Sequence, residues 1–231
     1  MTSPSSTPTI QVCRSCGGGA PVDVHFCPQC SKILSIGRHG DYFTFFGLPR
    51  KLRIDPGDLD SRFRTLSRQF HPDYYYNATP AERRASLERS SYLNDAYRQL
   101  RTPIGRIEYL LDVEGFAPSG PEQASEQVPA ALLEEVFALN EELDEVRGLR
   151  ASGAPDEAWR SRLERARRPI DAKRASHEAQ LEDLATRWDA LVDAGGSEVE
   201  RHALLKALRE RVLERNYISN LLAGIERELA Q

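Results

Sequence analysis

The sequence predicts a mainly α protein: a small N-terminal metal ribbon, a helical hairpin and a C-terminal three-helix bundle. Three observations carry that prediction. All four cysteines sit in two Cys-x-x-Cys pairs between Cys13 and Cys30. After residue 41, apolar side chains recur at spacings of three and four, the period of a helix face. A stretch rich in Gly, Pro and Ser, residues 115–128, separates two groups of such helices.

Composition sets the outer limits. The 231 residues are 40% hydrophobic and 29% charged, ordinary for a helix-rich protein in water. A net charge of −4 argues against a general nucleic-acid or anionic-membrane binder, which is usually basic. No run approaches 18 apolar residues, so no transmembrane helix is predicted. Residues 1–10 are mostly Ser, Thr and Pro, without the apolar centre of a leader, and read as a disordered tail on a cytoplasmic protein.

The ribbon comes first, over residues 11–36. Cys13-x-x-Cys16 and Cys27-x-x-Cys30 stand ten residues apart, and each pair turns two thiolates toward one point. Two pairs close a tetrahedral site suited to structural zinc, with no coordination position left for chemistry. Two redox disulfides or a tetrathiolate iron centre are the alternatives. Redox chemistry needs only one pair, which favours zinc. About 25 residues bury too little apolar surface to fold without such a cross-link. His25 lies two residues before Cys27 and is expected to be solvated or to sit behind the ligands. Ser31 to Gly40 reads as a short linker.

The hairpin spans residues 41–114. Asp41 is a plausible N-cap for a short helix whose Tyr42, Phe45 and Phe46 share one side, ended by Gly47 and Pro49. The next helix runs from about Asp58 to Phe70, with Leu59, Phe63, Leu66 and Phe70 on its apolar face. Arg64 and Arg68 point away at i, i+4, and Arg62 lies on the flank. His71-Pro72-Asp73 then forces a turn, because Pro72 drives His71 out of the α region. A third helix covers about Pro80 to Arg101, packing through Leu93, Tyr97 and Leu100, with Ser90, Asn94 and Ala96 near the turn. Ile104 to Val113 forms a fourth, stopped at Gly115.

The bundle occupies residues 129–231. Pro129 can open its first helix, whose Leu132, Leu133, Val136, Phe137, Leu139 and Leu143 give a broad apolar surface between acidic residues. From Pro155, Leu163, Ile170, His177, Leu184 and Leu191 recur every seven residues, joined by Leu181 and Trp188. Pro169 should kink or locally break this helix. His177 reads as a core histidine. The basic run Arg160 to Arg174 is interleaved with Glu164 and Asp171, as in a solvated helix face. Gly195-Gly196 makes the next turn, and Ser197 caps a last helix striped by Leu205, Leu208, Val212, Ile218, Leu221, Ile225 and Leu229.

With these residues in place, 41–114 resembles a J-domain: a basic second helix, His71-Pro72-Asp73, and a third helix reading Leu93-Asn94-Asp95-Ala96-Tyr97. Asp41-Tyr42-Phe43-Thr44-Phe45-Phe46-Gly47-Leu48 and Arg106-Ile107-Glu108-Tyr109-Leu110-Leu111 resemble, more narrowly, the HscB family of J-type co-chaperones in iron–sulfur cluster assembly. The tetracysteine module resembles the one preceding the J-domain in animal mitochondrial HscB. Glu141-Glu142-Leu143-Asp144-Glu145 resembles the acidic signature of that family's scaffold-binding helix.

The resemblance implies an L-shaped body that binds an IscU-type scaffold and stimulates ATP hydrolysis by a DnaK/HscA-type chaperone. The chaperone would be contacted by His71, Pro72, Asp73, Arg62, Arg64, Arg68 and Asn94. The scaffold would be contacted by Leu133, Glu134, Phe137, Glu141, Glu145 and Tyr217. Two positions depart from the family pattern: Tyr74 stands where a lysine usually follows the tripeptide, and Glu134 where a bacterial member is apolar.

No nucleophile–base pair, phosphate-cradling glycine loop or open metal site is visible, so the chain reads as a binding protein and not an enzyme. The alternatives are a J-protein with another client, and a zinc-ribbon adaptor that brings a chaperone to nucleic acid.

Overall fold

The computed structural model describes residues 10–36, 40–117 and 133–230. The chain divides into two compact units, Met1–Leu110 and Leu111–Gln231. Seven α-helices and one short strand pair are found among the described residues. None of the helices is long and apolar enough to cross a membrane. The expected start at Pro129, Leu132, and the tail and most of the linker lie outside the described residues.

In the first unit, β1 (Ile10–Val12) pairs antiparallel with β2 (Gly19–Pro21), Gln11 opposite Ala20. Phe26 and Ile33 form a second, isolated bridge around the other cysteine pair. Ser31–Ile36, expected to begin a short linker, is packed instead. Leu34 is buried with Cys13, Ala20 and Cys27, and Ile33 joins the aromatic core of the hairpin, against which Phe26 and Ile36 also pack. A module this small cannot cover its own apolar residues and shares the core next to it.

Helix α1 (Tyr42–Phe45) is a single turn capped by Asp41, whose carboxylate accepts from the Thr44 amide at 2.9 Å. It buries Phe43, Phe45 and Phe46. Tyr42, expected on that face, lies half-buried and stacks on Tyr109 at 4.2 Å. Phe45 and Phe46 are buried as expected, Phe43 joins them, and Tyr42 packs at the edge of the same core. Helix α2 (Pro56–Phe70) begins two residues before the expected Asp58. Asp55 accepts from the amides of Gly57 and Asp58, and Pro56 takes the first position, where no amide is needed.

Helix α3 (Pro80–Leu100) opens on a reciprocal capping box between Thr79 and Glu82. It packs on α2 through the stacked rings of Phe63 and Tyr97, 4.2 Å apart, and Tyr97 Oη donates to Asp60 at 2.6 Å. Helix α4 (Pro103–Val113) returns Tyr109 to α1, where its hydroxyl accepts from the Tyr42 amide at 2.9 Å. Burial, first, pushes the Tyr109 phenol up to about 12. The two stretches that carry the narrower resemblance therefore pack directly on each other.

The second unit is a bundle of α5 (Leu133–Ala151), α6 (Asp156–Ala194) and α7 (Glu198–Leu229). Its core holds Leu139, Leu143 and Val146 from α5, Trp159, Leu163 and Ile170 from α6, and Ile218, Leu222 and Ile225 from α7. His177, Leu181, Leu184 and Trp188 continue the buried seam of α6, while Leu191 is only half-buried. Gly195, at φ 63°, ends α6 in the left-handed region, and Ser197 caps α7 with a second capping box to Glu200. Pro169 does not break α6: the helix runs through it, with the proline exposed and Ile170 buried in the core. Packing on both neighbours outweighs the missing amide.

Candidate functional sites

Helix α2 stops at Phe70 because His71 is extended, at φ −60° and ψ 126°, as a residue before proline must be. Pro72–Tyr75 then forms a short 3-10 turn. His71 caps it: Nδ1 accepts from the Asp73 amide at 3.3 Å, and the His71 carbonyl accepts from the Tyr74 amide at 3.1 Å. The His71 side chain is 52% exposed and the Asp73 carboxylate 86% exposed. Tyr75 Oη donates to the Gln69 carbonyl at 3.0 Å. Tyr74 and Tyr76 project into solvent.

The turn is fixed from beneath. The Phe70 carbonyl, left over at the helix end, accepts from Ser86 Oγ at 2.6 Å and Ser90 Oγ at 2.8 Å, both on α3. Ser90 was expected here; Ser86 was not. Asn94 is exposed, and Ala96 is fully buried in the core and away from solvent. Arg64 and Arg68 are exposed on α2 as expected. Arg62 bends inward instead: Nη1 donates to the Phe46 carbonyl at 2.9 Å, and Nε to Asp58 at 2.9 Å. It ties α2 to the end of α1.

The four cysteine sulfurs come together within 4.8 Å of one another. Cys13–Cys30 and Cys16–Cys27 are each 3.7 Å apart. A tetrahedral ion with metal–sulfur bonds of about 2.3 Å needs sulfurs about 3.8 Å apart, so this donor set fits one. Each pair lies on the same kind of knuckle. The Cys13 carbonyl accepts from the Gly17 amide and the Cys27 carbonyl from the Ser31 amide, both at 2.8 Å. Gly17 and Ser31 occupy the same place at φ 74° and 57°, and Ser31 is the one non-glycine residue at positive φ among those described. Backbone amides of Cys30 and Gln29 hold the Cys27 thiol down to about 7. The Gly18 amide also lowers Cys16, but the sulfur of Cys30, burial and the two other sulfurs outweigh it and push that thiol up to about 12. Four thiolates this close are stable together only around a cation.

His25 is neither solvated nor turned toward the sulfurs. Its ring lies edge-on to Phe45 at 4.8 Å and to Phe70 at 5.0 Å. Arg89, on α3, donates to Nδ1 from Nη1 at 2.7 Å. Arginine has only donors, so Nδ1 accepts, and Nε2 carries the proton toward the Phe45 carbonyl at 3.1 Å. Arg89 itself is fully buried. Its Nε donates to the Leu34 carbonyl at 2.7 Å, and Nη2 to those of Val24 and Ser35 at 3.5 and 3.4 Å. Burial lowers its pKa to about 10, so it remains a cation at neutral pH. Sequence reading missed Arg89. A charged residue in phase with Ser86 and Leu93 on an apolar stripe was the available signal. Lys32 adds a tie from the module to Glu82 at 3.0 Å; that lysine, then Thr79, holds the Glu82 carboxyl below its ordinary range.

In the second unit, Leu133 and Phe137 stand out from α5 at 40% and 66% exposure, one turn apart. Glu134, Glu141 and Glu145 are exposed on the same helix. Glu142 lies beside them and pairs with Arg162 of α6 at 3.0 Å, and Glu145 pairs with the same arginine. Arg162 holds the Glu142 carboxyl low. Tyr217 is half-buried and packs against the core of the bundle. The basic run on α6 is largely neutralised: Arg162, Arg167, Lys173 and Arg174 all have carboxylate partners.

A His-Pro-Asp turn between a basic helix and a capped partner helix, ahead of a separate helical bundle, is the architecture of a J-domain co-chaperone. No protein-family model matches the chain. The crystal structure of the human co-chaperone protein HscB is similar at 25% identity and a TM-score of 0.67, over 94% of this chain and 97% of that one. The chaperone HscB from Vibrio cholerae is similar at 26% identity and a TM-score of 0.52, over 81% of this chain and 96% of that one. The chain is HscB-like, with a tetracysteine module ahead of its J-domain, and its fold supports a co-chaperone role.

Proposed function

We propose that this protein is a cytoplasmic co-chaperone that binds an IscU-type iron–sulfur scaffold and stimulates ATP hydrolysis by a DnaK/HscA-type chaperone. One observation carries the reading: the His71-Pro72-Asp73 turn is held rigidly from below and offered to solvent beside exposed Arg64 and Arg68, in a chain similar to HscB over nearly its whole length. Cations and turn together suit an acidic surface on the ATPase. Asp73, the most exposed of the three, competes for a charged network in the partner, while His71 and Pro72 set its position. Arg62 and Asn94 contribute at the margin, Arg62 by holding α2 to α1.

The bundle takes the client. Leu133 and Phe137 supply the apolar centre of an interface, and Glu134, Glu141 and Glu145 its acidic rim. Tyr217, half-buried on α7, adds an aromatic contact to the scaffold. Carrying both surfaces on one chain raises the effective concentration of client at the ATPase. The tetracysteine site holds zinc, which supplies a cross-link and no chemistry.

Single-turnover ATP hydrolysis by the cognate chaperone tests the first half. Asp73→Ala is expected to abolish stimulation; stimulation equal to wild type would sink the reading. Titration of an IscU-type protein tests the second half. Leu133→Ala/Phe137→Ala is expected to weaken binding at least about tenfold, and unchanged affinity would remove the bundle's assigned role.

A further inference from the structure

The tetracysteine module and the His71-Pro72-Asp73 turn meet at one residue and one helix. The residue is Phe70, the last of α2, whose ring touches His25 at 5.0 Å and Phe26 at 6.0 Å from the module side. The helix is α3. Its Ser86 and Ser90 hold the Phe70 carbonyl, and its Arg89, between them in sequence, sends all four guanidinium hydrogen bonds to module residues 24–35. The guanidinium also lies 5.6 Å from the Phe70 ring centroid.

A buried guanidinium has no cheap alternative state. It does not shed its proton at neutral pH, so if its acceptors leave, it must follow them or move out to water. Those acceptors sit on a segment of low intrinsic stability. The module's own core is Cys13, Ala20, Cys27 and Leu34, two of which are ligands. Without an ion, nothing of that size keeps residues 24–35 in the shape that surrounds Arg89.

We propose that Arg89 is a positioning residue for the His71-Pro72-Asp73 turn, through which metal loading of the four cysteines sets the geometry of that turn. With the four cysteines closed on an ion, the module would hold the carbonyls of Val24, Leu34 and Ser35 and the ring of His25 around the guanidinium. The guanidinium holds α3 in register with Phe70, and Ser86 and Ser90 then fix the carbonyl from which the turn departs. Loss of the ion frees the carbonyls, displaces Arg89 and loosens the base of the turn. The module is thereby a condition on the J-domain's output and more than an appended domain. The functional meaning of this rests on the J-domain reading given above; the coupling itself does not.

The test uses the full chain with labelled histidine side chains, loaded with zinc and then stripped with a chelator. In the wild type, stripping is expected to shift the His71 ring resonances and lower the first unit's unfolding midpoint by about 5 °C or more. Reloading zinc should restore both. His177 and His202, in the other unit, should not move. In Arg89→Met, His71 is expected to be displaced already with zinc bound, and stripping should move it little further. Arg89→Lys keeps the charge but not the fork and should fall between. If Arg89→Met does not fold, His25→Phe, which keeps a ring against Phe70 but removes the acceptor, should reduce the zinc-dependent shift of His71.

A His71 resonance indifferent to zinc in the wild type overturns the coupling. A shift as large in Arg89→Met as in wild type overturns the role of Arg89. The ATPase assay separates this from the functional reading. If Asp73→Ala stimulates normally while His71 still responds to zinc, the J-domain function fails and the coupling stands.

Discussion

The two units satisfy buried charge with different partners. In the first, charged groups go inside: Arg89 and Arg106 lie in the interior and spend their donors on backbone carbonyls, Arg106 on those of Leu100 and Leu52. In the second, the core is aliphatic apart from Trp159, and the charged groups that go inside are carboxylates met by arginines: Glu228 by Arg147 and Arg150, Glu214 by Arg211, with Arg162 and Glu142 paired nearer the surface. Interior guanidinium groups satisfied by main chain fix where loops lie, because each demands several carbonyls in one geometry. Exposed ion pairs such as Arg147 with Asp144 contribute little and tolerate change. The contrast fits the proposed tasks, in which the first unit presents a turn in one conformation and the second an apolar face for a partner to cover.

The sharpest way to break this contrast is to compare two phenylalanines. Phe70 is fully buried and Phe137 is 66% exposed. Phe70→Ala is expected to destabilise the first unit by about 3–5 kcal/mol in a denaturant titration. Phe137→Ala should stay within about 0.5 kcal/mol of wild type. Equal losses would mean that the face at Phe137 is closed in solution.

Acid provides a second comparison. His177 is buried, its Nε2 donating to the Arg211 carbonyl at 2.7 Å, with Glu214, Arg211 and Arg215 around it. Burial, the dominant cause, lowers its pKa below the ordinary 6.5, so the folded state favours the neutral ring. Its contribution is complete above pH 6.5 and is lost as pH falls through the lowered folded value. Glu82 is also lowered, by Lys32 and then Thr79, but from 4.5, so its contribution persists until pH falls below that. The bundle should therefore weaken first on acidification, and His177→Gln should flatten its response. A bundle whose unfolding midpoint ignores pH just below 6.5 would remove His177 from this account.

The smallest effect concerns the two cysteine knuckles. Ser31 bears a side chain where Gly17 does not, at the same positive φ. Ser31→Gly should stabilise the zinc-loaded first unit by about 0.5–1 kcal/mol, relief of left-handed strain exceeding the added chain entropy. A loss of stability on calorimetry would show that Ser31 is held by more than its backbone.

Much of this was legible in the residues. The cysteine spacing, the forced turn at His71-Pro72-Asp73 and the heptad seam of α6 each follow from local chemistry, and each stands where expected. What escaped were features made by distant residues. That Ser31–Ile36 packs, that His25 faces Arg89, and that Arg62 turns inward all depend on partners 15 to 65 positions away. Full burial of Phe43, with Tyr42 left at the edge of the core, depends on Tyr109, whose ring stacks on Tyr42. A one-turn helix has no period of its own long enough to choose between them.

The separation of Arg89 from its acceptors has a consequence for synthesis. Leu34 lies 55 positions before Arg89, and His25 lies 64 before it. The cysteines therefore emerge from the ribosome several seconds before the residue that docks them, at ordinary rates of elongation. Through that interval the knuckles stand with their apolar side uncovered. Metal captured early would close them into a finished template, onto which α3 can fold as it appears.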